Sequence, residues 1–297
     1  MGVLKKIWIT LREQGRHPLN RKSKLRAAFD FSIAQVAARL IPGDVCVPFP
    51  NEQRLLVPPR MKGAAHFIYP GLCEFEDMAF VMHFLRPAEL FLDIGANIGA
   101  YTVLAAGVAG CNVTAFEPSP ASFRYLLANI RLNDLSQRVT PWNVALGAEG
   151  GTLYLTEGLG TENFVCESSG ESNSTKVKVI TLDSALDQAN PMLLKIDVEG
   201  FETKVFAGAA QVLSKPTLRA MLVEKAGNGA RYGFDEEALH GKIQQMSFVA
   251  CSYSPFQRTL SRLSEKTGGN IIYVRDFEVA QQRLRNGAPF RFGGLSI

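Results

Sequence analysis

Cysteine is scarce in this 297-residue sequence: Cys46, Cys73, Cys111, Cys166 and Cys251 are an odd number, widely scattered, with no CxxC pair. That pattern indicates neither a disulfide framework nor a zinc site, and it fits a reducing cytosol. Long hydrophobic runs are lacking as well. No stretch of about 18 apolar residues occurs, so no membrane-spanning helix is expected. Met1 to Thr10 is too short and too interrupted by charge for the apolar core of a secretory leader, and the expected location is the cytoplasm. The net charge, +4, is too small to argue for nucleic acid. Tryptophan is nearly absent: Trp8 and Trp142 lie too far apart to form a sugar platform. There are four histidines; His17 and His240 carry no signal, His83 reads as a packed residue, and His66 is a candidate for the acceptor side. No internal repeat is present.

The charge that exists is uneven. Residues 1–26 hold eight basic side chains against the single acid Glu13, a net +7 that leaves −3 for the rest. A basic head on a mildly acidic body suits a peripheral membrane or other anionic surface, with Trp8 placed to insert, or it is simply a solvated helix face.

The run Leu25–Ile41 spaces Leu25, Phe29, Ile33, Val36 and Leu40 at helical intervals and stops at Pro42-Gly43. Residues 1–70 are therefore expected to form a helical and loop extension that caps a core domain of residues 71–297. In that core, strand and helix patterns alternate. The segment 74–87 reads as a helix ended by Pro87, ELFLDIG as a strand, ANIGAYTVLAAGVAG as a helix and NVTAFEP as a strand. Ser119 and Pro120 mark a helix start over SPASFRYLLANIRLN. VTPWNVALG reads as one strand, followed by a hairpin through GGTLYLTE, and Glu167–Thr175 as a mobile loop. KVKVITL, MLLKIDV, LRAMLVEK, FVACSYS and NIIYV add strands, with helices near Thr203–Leu213 and Asp235–Gln245. This alternation predicts a Rossmann-like α/β fold, a mostly parallel sheet with helices on both faces.

Such a sheet binds ligands beyond the carboxyl ends of its strands. The first strand there ends in DIGANIG, residues 93–99, where Gly95 and Gly99 permit a tight turn and Asp93 supplies a carboxylate. A dinucleotide fingerprint needs a middle glycine where Asn97 stands, and an acid beside a pyrophosphate is unfavourable. A nicotinamide-dependent oxidoreductase is therefore disfavoured, and a cationic cofactor suits the charge better. The second strand ends at Glu117-Pro118, with Glu117 24 residues after Asp93, a spacing at which a carboxylate accepts hydrogen bonds from ribose hydroxyls. Asn143 can offer its amide to a base edge. In KIDVEGFE, Asp197, Glu199 and Glu202 crowd three carboxylates into six residues behind Lys195. Two readings stand side by side. Crowding can raise one pKa and create a general base; alternatively, Lys195 pairs with one acid while Glu202 opens the next helix. Asp197 and Glu199 also have the oxygens for a divalent cation, but no histidine or further acid nearby in sequence completes a shell, and no metal is expected.

Taken together, LFLDIGANIGAYT, AFEPSPASFRYLLANIRLN, NVALG and LLKIDVEGFE resemble the FkbM-type methyltransferase family, with matching order and spacing over about residues 74–225. The resemblance implies S-adenosylmethionine as cofactor, a Rossmann-like methyltransferase fold and methylation of hydroxyl oxygens. It implies cofactor contacts from Glu74, Asp93, Gly95, Asn97, Gly99, Tyr101, Thr102, Glu117, Pro118, Asn143 and Asp197. Asp197 is the first candidate for the base that deprotonates the acceptor, Glu199 the second and Glu224, in MLVEKAG, a distant third. The expected acceptor is a small-molecule or glycan hydroxyl, specifically of a saccharide or glycolipid precursor. A polyketide or other secondary metabolite is the alternative, and a non-catalytic cofactor- or nucleotide-binding module is the rival from outside the enzymes. No RNA-binding module accompanies the basic head, so a nucleic-acid substrate is not expected.

Overall fold

The computed structural model describes residues 43–58, 72–156, 164–166, 174–186, 188–264 and 268–297. The expected helix Leu25–Ile41, the basic segment 1–26, His66 and most of the expected loop 167–175 lie outside these residues. Ser174 and Thr175, at the end of that loop, belong instead to a strand.

The chain begins with a small hairpin of β1 (Val45–Pro48) and β2 (Arg54–Val57). Helix α1 (Phe75–Phe84) follows, ending before Pro87 removes a backbone donor. Strand β3 (Leu90–Ile94) runs into α2 (Ala100–Val103), which continues as a π-turn over Leu104–Val108. Next come β4 (Asn112–Phe116) and α3 (Pro120–Leu132). The α3 start is the one the sequence announced: Ser119 Oγ accepts the Ser122 N–H and Pro120 occupies the first turn.

Strand β5 (Val139–Trp142) is then cut short, where the sequence suggested one continuous strand through VTPWNVALG. Asn143 causes the break. Its amide donates to the carbonyls of Glu117 (2.8 Å) and Pro118 (3.1 Å), pinning the chain to the end of β4. Beyond it, β6 (Ala145–Leu146) joins a separate four-stranded sheet with β7 (Gly151–Thr156), β8 (Val165–Cys166) and β9 (Ser174–Ile180), in the order β6-β9-β7-β8.

After the short α4 (Leu182–Ala185), β10 (Pro191–Ile196) returns to the main sheet. The predicted helix near Thr203–Leu213 is two helices, α5 (Glu202–Ala207) and α6 (Ala210–Ser214), broken at Gly208, where an added Cβ would meet the Gly147 carbonyl at 2.0 Å. Strand β11 (Ala220–Glu224), helix α7 (Glu236–Gln245), strands β12 (Val249–Ser254), β13 (Thr259–Arg262) and β14 (Asn270–Val274), and helix α8 (Phe277–Arg285) complete the core.

The main sheet has the order β13-β12-β14-β11-β10-β3-β4-β5. Strands β5, β4, β3, β10 and β11 pair parallel; β14 is antiparallel to both β11 and β12, and β13 is antiparallel to β12. The central strands are apolar on both faces, as a sheet covered on two sides requires. Along β3, β10 and β11, Phe91, Leu193, Ala220 and Leu222 face one core with α1, α2, α3 and α8. Leu92, Ile94, Leu194, Ile196, Met221 and Val223 face the other, with Val205, Val212, Leu239 and Ile243 from α5, α6 and α7. None of the described helices is long and apolar enough to cross a membrane.

Candidate functional site

The chain leaves β3 for β4 and β5 on one side and returns on the other through β10 and β11, so the order reverses between β3 and β10. A crevice opens at the carboxyl ends of strands where that happens. A cavity of about 300 Å³ lies there, bordered by the loops after β3, β4, β10 and β11. The loop after β3 is drawn in tightly: the N–H groups of Gly95 and Ala96 both donate to the Phe116 carbonyl, and Asp197 N–H donates to the Ile94 carbonyl at 3.1 Å. Gly95 has φ +77°, and a Cβ on it would lie 1.8 Å from the Asp197 carbonyl oxygen. This position is glycine because two strand-end loops touch here.

On the β3–β4 side, Glu117 is 6% exposed and accepts the N–H groups of Asn97 and Ser119, each at 2.8 Å. Burial pushes its carboxyl up to about 7, against the pull of those two donors. Asn97 Oδ1 is buried with no hydrogen-bond partner among the described residues. Glu74, just before α1, accepts from the Tyr101 hydroxyl (2.8 Å) and the Asn270 amide (2.9 Å), and burial raises its carboxyl above the usual range.

Beneath the floor sits Lys195, 3% exposed. Its Nζ is 2.8 Å from Asp197 Oδ2 and 4.9 Å from the centroid of the Tyr101 ring. Burial opposes its charge, but Asp197, Asp93 and Glu74 outweigh that and hold it protonated. Asp93 is fully buried, takes the Thr102 hydroxyl at 2.6 Å on Oδ2, and has no partner for Oδ1 among the described residues. Burial lifts its carboxyl, opposed by Lys195.

On the β10–β11 side, Asp197, Glu199 and Glu224 bring carboxylate oxygens within 4.8 Å of one another. Asn228 donates its amide to Glu199 Oε2 at 3.0 Å. Burial, with Asp197 and Glu199 close by, drives the Glu224 carboxyl well above the usual range. Two residues from the sequence motif serve the loop itself. Glu202 turns back to accept the N–H groups of Val198 (3.1 Å) and Gly200 (3.2 Å), and burial pushes it to about 7. Lys195 pairs with Asp197 and Glu202 opens α5, so the structural reading of KIDVEGFE is present, yet Asp197 and Glu199 also open on the cavity.

Of the predicted site residues, Glu74, Gly95, Asn97, Tyr101, Glu117, Pro118, Asp197 and Glu199 line the cavity together. Asp93, Gly99, Thr102 and Asn143 stand behind it: Asp93 and Thr102 bond to each other, Gly99 packs against Leu126 of α3, and Asn143 ties β4 to β5. The expectation that no further acid approaches Asp197 and Glu199 is corrected by Glu224, which the β10–β11 pairing makes their neighbour. These three carboxylates could hold a divalent cation. Sequence reasoning also missed the apolar wall of Val144, Leu146, Leu155, Val165 and Phe201. No local signal marks it, because Leu155 and Val165 belong to the second sheet and meet the site only through tertiary packing. His83 is a packed residue, wholly buried with its ring 2.7 Å from the Tyr253 hydroxyl.

Comparison with known proteins matches residues 93–250 to the methyltransferase FkbM domain. The 31-O-demethyl-FK506 methyltransferase FkbM of Streptomyces tacrolimicus is 28% identical over 201 residues, 54% of this chain and 75% of that protein. Among solved structures, an S-adenosylmethionine-dependent O-methyltransferase from Thermotoga maritima shares 15% identity with a TM-score of 0.39, covering 70% of this chain and 65% of that one. An rRNA methylase from Streptococcus thermophilus shares 12% with a TM-score of 0.40, over 66% of this chain and 91% of that one.

Proposed function

Since the chain belongs to the FkbM family of S-adenosylmethionine-dependent methyltransferases, we propose that it transfers a methyl group to a hydroxyl oxygen of a saccharide or glycolipid precursor, in the cytoplasm. The observation that carries the cofactor half of this reading is the charge of the cavity lining. Among the described lining residues, Glu74, Glu117, Asp197, Glu199 and Glu224 face one cation, Lys195, which is already paired. That donor set suits a cofactor with cationic groups and opposes a pyrophosphate.

The residues present fit S-adenosylmethionine. Glu117 would take the ribose hydroxyls, the unpartnered Asn97 Oδ1 is an acceptor awaiting a donor, and the floor around Glu74 would hold the amino-acid end. The bound cofactor supplies a methyl group already activated on a sulfonium. What remains for the protein is to place the acceptor oxygen in line, which supplies most of the rate, and to receive its proton. Asp197 is the base. Lys195 occupies Oδ2, which leaves Oδ1 to accept the proton as the acceptor oxygen exchanges it for the methyl group. Glu224, whose carboxyl burial drives above the usual range, stands beside it as the third acid of the group. Asn228 fixes Glu199 beside them as an orienting acceptor. A polyketide or other secondary metabolite is the second reading of the acceptor, and it draws on the Streptomyces relative, whose name gives 31-O-demethyl-FK506 as its substrate.

The test is calorimetric titration with S-adenosylhomocysteine. We expect micromolar binding by the wild type and at least tenfold weaker binding by Glu117→Ala. A folded wild type that does not bind would overturn the reading.

A further inference from the structure

The cavity has two unlike sides. Around the ends of β10 and β11 its lining is acidic, with Asp197, Glu199 and Glu224, while Leu146, Leu155, Val165 and Phe201 line the rest of this half with hydrocarbon. Phe201 is half-buried and braced from behind. Its ring meets Tyr232 edge-on at 5.5 Å and Phe234 at 6.3 Å. The Tyr232 hydroxyl donates to the Val165 carbonyl at 3.0 Å, which ties this aromatic group to the second sheet. The wall is therefore a supported surface, not a loose side chain over the opening.

The chemistry of the two sides restricts what can enter. An anionic acceptor would meet the acid group of Asp197, Glu199 and Glu224, and the one lining cation among the described residues, Lys195, is engaged with Asp197. Arg231, on the exposed rim, is engaged already: its guanidinium covers the Phe164 ring at 3.9 Å and its Nη1 donates to the Glu199 backbone carbonyl at 3.5 Å. A molecule polar all round would lose water from hydroxyls set against leucine, valine and phenylalanine, which offer them no partner. A ring with one C–H face suits the aromatic wall, as aromatic side chains take apolar faces well.

We infer that the acceptor is neutral, lays an apolar face on Phe201 and turns its hydroxyl towards Asp197; phosphorylated and other anionic acceptors are rejected. This rests on the O-methyltransferase reading and narrows its substrate class. The specificity resides in Phe201 and in the second sheet behind it, apart from the glycine loop that would hold the cofactor.

Saturation-transfer NMR on the full-length protein, saturated with S-adenosylhomocysteine, tests this with cyclohexanol and cyclohexyl phosphate, which share a ring and differ in charge. Cyclohexanol should receive saturation and cyclohexyl phosphate should receive at least fivefold less. Phe201→Ala should lower the cyclohexanol signal at least fivefold, and Phe201→Leu, which keeps an apolar wall, should retain most of it. Calorimetry should place both variants within threefold of the wild-type affinity for S-adenosylhomocysteine, which separates a lost wall from a lost fold. Equal signals from the two probes, no signal from cyclohexanol, or an unchanged signal in Phe201→Ala would each overturn the inference. Failure of the wild type to bind S-adenosylhomocysteine would instead strike the functional reading on which it stands.

Discussion

Replacing Gly95 by alanine puts a methyl group where the Asp197 carbonyl oxygen now lies 1.8 Å away, on a residue whose φ is +77°. Two costs follow. A left-handed conformation disfavours any side chain by about 1–2 kcal/mol. Relieving the overlap requires backbone movement of the kind that costs about 1–3 kcal/mol when a packed interior is overfilled. The sum is about 2–5 kcal/mol, or on the order of 10 °C in melting temperature for a chain of this size. Gly227 supplies the internal control, because its φ is nearly the same, +79°, and a Cβ there meets nothing within 4 Å. Gly227→Ala carries only the first cost and should lower the melting temperature by a few degrees, about 1–2 kcal/mol. The two variants also diverge at the site. An ordinary contact begins near 3.4 Å, so the Asp197 carbonyl must retreat by more than 1 Å. A displacement of that size at a reacting group costs about a hundredfold in rate. Differential scanning fluorimetry and S-adenosylhomocysteine titration of both variants check the reasoning. Equal melting temperatures for Gly95→Ala and Gly227→Ala, with cofactor binding intact in both, would refute it.

Three further outcomes follow from the site and its supports. Asp197→Asn should keep S-adenosylhomocysteine binding within about threefold while lowering methyl transfer by about 10²–10⁴, the worth of a positioned base; normal turnover in this variant would remove Asp197 from that role. Lys195→Met strips the counter-charge from Asp197 and from buried Asp93, and should destabilise the fold by about 3–5 kcal/mol in urea titrations; a loss below 1 kcal/mol would show that these acids need no ammonium. His83 titrates near 6.5 when unfolded but is held down to about 4 by burial in the fold, so the unfolded state binds more protons between those values and stability should fall as pH drops from about 6.5 to about 4. His83→Gln should flatten that acid limb, and urea midpoints that fall with pH identically in wild type and variant would contradict this.

Alternation of apolar runs with capped helices was enough to read the α/β class, because central parallel strands must be apolar on both faces and helix starts carry their own chemistry in Ser119-Pro120 and Asp235. The motif acids were legible for the same reason: a strand end is a fixed place in such a sheet, so Glu117 and Asp197 could be assigned to the crevice from sequence position alone. Distances between strands were not legible. Glu224 lies 27 residues after Asp197, and only the parallel pairing of β10 with β11 brings them together. The break at Asn143, the second sheet it leads to, and the wall formed by Leu155, Val165 and Phe201 likewise depend on hydrogen bonds and packing between distant segments. Local sequence thus determined the elements and which strand ends carry acid. Tertiary structure decided which of those acids share a site, which ones a buried lysine neutralises, and what apolar surface they face, because long-range pairing sets those distances and leaves no mark at short range.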